Sequence, residues 1–294
     1  MSALVRQFPA DNLHVDDLPY RLSSWAFDNP ENIGLWVGDG QQLMAWAVLQ
    51  TPFWAIDYAC HPDAPENLHG RILAWADGRA RRVLGTPSGR PTWFVNVLVS
   101  QTGRIRDLEQ ARFACQANVG EDSWSKVLMR RSAQTPTADW SPPLGFTVRL
   151  LAGENEVEAY VELHRSVFQS RSMTVEWRAR TLRRPEYRPD LDLVAVAPDG
   201  RLAAFCVCWL KQDSEQEPTG QIEPLGVLEE WRRLGVGRAI LSEGLRRLHL
   251  HSADRVCVET DNYRNAAFGL YESVGFGVMQ EVLVYRKDYE AAYA

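Results

Sequence analysis

The sequence predicts an α/β (α+β) protein built as two similar halves, each a sheet flanked by helices. Three observations carry that reading. Apolar runs of strand length alternate with runs at helical spacing along the chain. A stretch without apolar period, SAQTPTADWSPPLG (132–145), falls near the midpoint. Segments on either side of it match without gaps and in the same order, Cys60–Arg71 with Val227–Arg238 and Ala111–Arg131 with Ala267–Lys287. The 294 residues therefore read as a domain over 1–132, a linker over 133–145 and a second domain over 146–294.

The elements follow in chain order. Residues 34–50 form a hairpin around Gly38-Asp39-Gly40, and 54–83 a strand, a loop and a helix. A strand is predicted over 92–100, a helix over 108–119 and a strand over 124–132. In the second half Val157, Tyr160, Val161 and His164 share one face of a helix over 153–168. Residues 190–210 fold back at Pro198-Asp199-Gly200, where Pro and Gly suit a tight turn. A strand over 220–228, a helix over 236–250, a strand over 255–259, a helix over 266–274 and a strand over 277–286 complete the pattern.

Composition narrows the function. Lys plus Arg is 32 against 38 Asp plus Glu, a net charge of −6, so the chain lacks the basic surplus of a nucleic-acid binder. No run approaches the ~18 apolar residues of a membrane span, and the start of the chain lacks a basic segment followed by an apolar core. A cytoplasmic protein without membrane or nucleic-acid partners is expected. The five cysteines form no paired framework, and Cys206 and Cys208 would share one face of a strand as buried thiols. No metal is expected, because no Cys/His cluster has ligand spacing; His61 and His69 read as surface residues.

Two segments carry chemistry. In IEPLGVLEEWRRLGVGRAIL a strand leads through Arg232-Arg233-Leu234-Gly235-Val236-Gly237-Arg238 into a helix. Glycines there allow close backbone approach, and the unpaired amides of a helix start favour an anion. In VCVETDNYRNAAFGLYESVGF a strand, a polar loop and a short helix end at Gly275, a good C-terminal cap.

Together these segments resemble the GCN5-related N-acetyltransferases (GNAT). Arg232-x-x-Gly235-x-Gly237 is similar to the family's acetyl-CoA loop, and Leu270-Tyr271-x-x-x-Gly275-Phe276 to its carboxy-terminal signature. The resemblance covers roughly 146–289, with fainter features over 20–132, a layout similar to tandem members such as the mycothiol synthases.

The resemblance implies two tandem GNAT folds with mostly antiparallel sheets, and acetyl transfer from acetyl-CoA to a primary amine of a small molecule or peptide. Leu225, Gly226 and Val227 would run beside the pantetheine arm, with the Val227 amide facing the developing oxyanion. The amides from Arg233 to Arg238 would cradle the pyrophosphate. Tyr271 would be the general acid, and Glu223 or Glu259 the general base. The position where the family often has an asparagine holds Arg264, so Asn262 or Asn265 would supply that amide. In the first half the loop has Pro65 and Leu68 where the second has Arg232 and Gly235, and Cys115 falls at the tyrosine position, so that half would keep the fold without the activity. Acceptor selectivity would come from the stretch 171–189. A monomer or homodimer is expected. A non-catalytic acyl-CoA-binding or regulatory module fits the same motifs.

Overall fold

The computed structural model describes residues 1–9, 12–14, 17–120, 123–136, 140–213, 216–262 and 265–290. The first half runs α1 (Ser2–Gln7), α2 (Leu18–Leu22), β1 (Ile33–Val37), β2 (Leu43–Gln50), β3 (Ala55–Cys60), α3 (Leu68–Val83), β4 (Thr92–Leu98), α4 (Thr102–Gln110), β5 (Ala114–Cys115) and β6 (Ser125–Ser132). The second runs β7 (Thr147–Leu150), α5 (Val157–Phe168), α6 (Val175–Leu182), β8 (Asp192–Val196), β9 (Leu202–Asp213), β10 (Gln216–Val227), α7 (Val236–Leu250), β11 (Arg255–Asp261), α8 (Asn265–Ser273) and β12 (Gly277–Asp288). Among the described residues no helix is long and apolar enough to cross a membrane.

The chain forms two compact units, Met1–Lys126 with Gln280–Ala294, and Val127–Met279. In the first, β1, β2 and β3 are antiparallel neighbours, and β3 meets β4 in parallel at Ala55 opposite Phe94. The end of β12 lies antiparallel on β4, from Val282 opposite Leu98 to Asp288 opposite Thr92. Leu73, Ala76 and Ala80 of α3 pack with Leu49, Val95 and Tyr285 in its core. In the second unit the strand order is β7-β8-β9-β10-β11-β6. Ile240, Leu241 and Leu245 of α7 cover the sheet there, packed with Leu193, Cys206 and Ile222.

The units do not follow the division at 132 and 146. Val127 and Met129 of β6 are buried in the core of the second unit, whereas Tyr285 and Tyr289 are buried in that of the first. Alternating apolar residues mark both segments as strands, but that alternation is satisfied equally by the core of either unit.

The helix expected at 108–119 is a correction. It occupies Thr102–Gln110 and stops at Arg112, whose left-handed φ of 63° lets the Phe113 N–H reach the Leu108 carbonyl at 2.9 Å. With no glycine at that position the stop carries no sequence signal. Cys115 consequently lies on β5 opposite Tyr285, not on a helix as Tyr271 does. The α8 terminus closes in the same way, with the glycine the sequence shows: Gly275 has φ 90°, and Phe276 N–H donates to Tyr271 O at 3.1 Å.

Candidate functional site

The site begins where two parallel strands part. β10 and β11 pair only from Thr219 opposite Arg255 to Gln221 opposite Cys257. Directly afterwards β10 bulges: Ile222 faces Cys208 and Leu225 faces Cys206, so one extra residue lies on β10. Trp209 Nε1–H donates to the Glu223 carbonyl inside the bulge at 2.6 Å. Beyond it Leu225, Gly226 and Val227 remain paired to β9 along one edge, and their other edge has left the β11 ladder. Gly226 has no room for a side chain, since a Cβ would lie 2.5 Å from Val167 Cγ1 and 2.6 Å from Phe205 Cζ.

The loop after β10 is exposed from Arg232 to Gly235 and ends as the N-cap of α7. Gly235 takes φ 95°, a conformation that favours glycine, and has no side chain to cap the helix. The Ala239 N–H to Gly235 O bond at 3.0 Å closes the first turn, so the amides ahead of it point out of the helix start. Arg232 Nε–H donates to Val227 O at 3.1 Å, folding the loop back on the strand. At Gly237 a Cβ would come within 3.2 Å of Val227 Cγ2, so small residues keep helix and strand close. An uncapped helix start flanked by arginines fits a phosphate group, the ligand type expected of the loop.

Tyr271 is 6% exposed and packs edge-on to Phe276 at 5.7 Å. Burial, then the Glu223 carboxylate, then the Cys206 and Cys208 thiols, push its phenol well above the ordinary range. Glu223 acts also on Tyr160 of α5, another buried phenol raised first by burial. The Glu223 carboxylate thus acts electrostatically on the buried Tyr271 phenol. It sets Glu259 apart: along β11, Val256 and Val258 face the core that holds Tyr271, and Glu259 alternates onto the other face with Arg255 and Cys257. Asn262 is exposed at the end of β11; the backbone of Asn265 begins α8, and Arg264 and the Asn265 side chain lie outside the described residues. Cys206 and Cys208 are buried with their sulfurs 3.9 Å apart, beneath Gly244 of α7.

One group escaped sequence reasoning. Arg178 and Asp192 are an ion pair with no exposed surface, Tyr187 Oη–H donates to Asp192 Oδ2 at 2.8 Å, and the Arg178 guanidinium lies 3.7 Å from the Tyr160 ring centre. In sequence Arg178 is one arginine among several between 171 and 184. Burial alone distinguishes it.

In the first unit the corresponding loop leads into α3 through Pro65 and Asn67. His61 and His69 are each 8% exposed, which corrects the surface assignment. His69 Nδ1 lies 2.8 Å from Asp107 Oδ2 and its Nε2 2.9 Å from Tyr58 Oη, because the end of β3, α3 and α4 converge there. Burial holds the His69 pKa below the ordinary value. His61, His69 and Asp107 border a cleft of about 290 Å³ with Cys60 and Arg104.

The model of the Acetyltransferase (GNAT) family matches residues 157–276, the span from α5 through the loop to Phe276. Residues 157–276 thus carry a GNAT-family domain. The chain is similar to the mycothiol acetyltransferase of Thermobispora bispora, 30% identical over 166 residues. That match covers 54% of this chain and 56% of the relative, little more than half its length. The mycothiol acetyltransferase of Nocardiopsis dassonvillei is 27% identical over 252 residues, 76% of this chain and 72% of the relative. Among solved structures, a GCN5-related N-acetyltransferase from Sphaerobacter thermophilus superposes with a TM-score of 0.65 at 22% identity, over 88% of this chain and 81% of that one. A tandem GNAT protein from the clavulanic acid biosynthesis pathway gives 0.63 at 12% identity, over 98% and 93%. These likenesses show a tandem GNAT fold.

Proposed function

We propose that the second unit is an acetyl-CoA-dependent N-acetyltransferase acting on a primary amine of a small molecule or peptide. The observation that carries the reading is the parting of β10 from β11 beside an uncapped helix start, where the Glu223 carboxylate acts on the buried Tyr271 phenol. The relatives named mycothiol acetyltransferase support acetyl transfer. Acetyl-CoA would supply an activated acetyl thioester.

The amides of Val236, Gly237 and Arg238 with the Arg232 and Arg233 side chains hold the pyrophosphate, and the strand edge Leu225–Val227 pairs with the pantetheine arm. The Val227 N–H stabilises the oxyanion as the amine attacks the thioester carbonyl. Glu223 takes the amine proton, the C–S bond breaks, and Tyr271 gives its proton to the departing thiolate. The two glutamate and tyrosine steps reinforce one another. Burial first, and then the Glu223 charge, make the Tyr271 phenol a weak acid in the resting site; neutralising that charge makes Tyr271 a stronger acid as the thiolate leaves. Attack is direct within a ternary complex. The first unit retains the fold without this chemistry, its loop carrying Pro65 and its Cys115 lying on a strand.

The test is free thiol release from acetyl-CoA across a panel of primary amines. Turnover of at least one amine, reduced at least a hundredfold by Tyr271→Phe with CoA affinity kept, is the expected result. CoA binding with no turnover on any amine would instead favour a non-catalytic acyl-CoA-binding module.

A further inference from the structure

Arg238 stands in the first turn of α7, and its guanidinium is held on two sides. Its Nε–H donates to Ser273 Oγ at 3.2 Å, and Ser273 Oγ–H donates onward to Leu270 O at 2.7 Å. Its flat face covers the Trp140 indole, with Cζ 4.2 Å from the ring centre. Other arginines of this unit meet carboxylates, as Arg201 does with Asp199 and Arg247 with Glu243. Among the described residues Arg238 has no such partner. Its two terminal amino groups therefore stay available next to the uncapped amides of α7. Trp140 belongs to the stretch 132–145 and is 40% exposed. Pro143 of the same stretch approaches the loop too, 3.8 Å from where a Cβ on Gly235 would stand.

We propose that Trp140 is a positioning residue of the donor site, holding the Arg238 guanidinium in the orientation that takes the pyrophosphate of CoA. The proposal rests on the donor-site reading above. A solvent-facing arginine gives up rotamer freedom when it grips a phosphate; stacked on an indole, it has given up much of that freedom beforehand. Trp is the aromatic that holds a guanidinium most strongly. Trp140 and Pro143 are, on this reading, part of the ligand site.

The experiment is calorimetric titration of CoA into the full chain, as wild type, Trp140→Ala, Trp140→Phe, Trp140→Leu, Arg238→Ala and the Trp140→Ala/Arg238→Ala double variant. Trp140→Ala and Trp140→Leu should raise Kd about fivefold, and Trp140→Phe should restore most of the loss. With Arg238 already replaced, Trp140→Ala should change Kd less than twofold. An equal loss with and without Arg238, equal losses for Phe and Leu, or an unchanged Kd in Trp140→Ala would each overturn the proposal. Absence of CoA binding by the wild type would overturn the donor-site reading itself, and this proposal with it.

Discussion

The Trp209 indole N–H and the Glu223 carbonyl lie 2.6 Å apart, a hydrogen bond from β9 into the bulge of β10. Trp209 is 2% exposed, so the bond is made in a desolvated setting. Trp209→Phe should lower stability by about 1–3 kcal/mol in chemical denaturation, because this buried hydrogen bond is lost. It should also lower kcat more than it weakens CoA binding, since Glu223 sits in the bulge. A folded variant with unchanged kcat would separate the bulge from the reaction.

The two glutamates should behave differently. Glu223→Gln should reduce kcat/KM by roughly 10²–10⁴. Glu259→Gln, on the opposite face of β11 from Tyr271, should stay within about threefold of wild type. The reverse ranking in steady-state kinetics would move the base to β11.

His164 sets a pH dependence of stability. Burial first, then the charges of Arg178 and Arg165, push its pKa down to about 3. In the unfolded chain it titrates near 6.5, so on acidification U takes up a proton that the folded state refuses. Stability should therefore fall from pH 6.5 towards 3, by up to about 1.4 kcal/mol per pH unit from this residue. His164→Phe keeps a ring against Phe205, which the imidazole now stacks on at 5.5 Å. The difference between wild type and variant in urea denaturation should vary with pH below 6.5 and be flat above it. A pH-independent difference would contradict the assignment.

The exchange of terminal strands predicts how the chain tolerates cutting. A fragment 146–294 lacks Val127 and Met129 of its core and the Arg131 Nη1–H bond to the Val274 carbonyl at 2.6 Å. It should be poorly folded by circular dichroism, and a fragment 127–294 should be markedly more stable. Equal stability of the two would show β6 to be dispensable to the second unit.

Much of this protein was legible in order and spacing. Helix 236–250 coincides with α7 because a glycine start and an unbroken apolar stripe are local signals. Gly275 ends α8 for the same kind of reason. The end of α4 was not legible, since Arg112 takes a glycine's conformation without being one, under the pull of buried Phe113. Nor was the burial of His61, His69 and Arg178, which depends on partners 19, 38 and 14 residues away in sequence.

The sequence by itself determined the kind of protein: two α/β halves, a glycine–arginine loop opening a helix, and a tyrosine one helix before the last strand. Those are local arrangements, set by side-chain period, turn chemistry and spacing. Tertiary structure decided which unit receives β6 and the end of β12, which glutamate acts on the Tyr271 phenol, and that Trp140 lies under Arg238. Strand alternation leaves the partner sheet open, and a bulge or a stacked ring depends on what the chain meets after it folds.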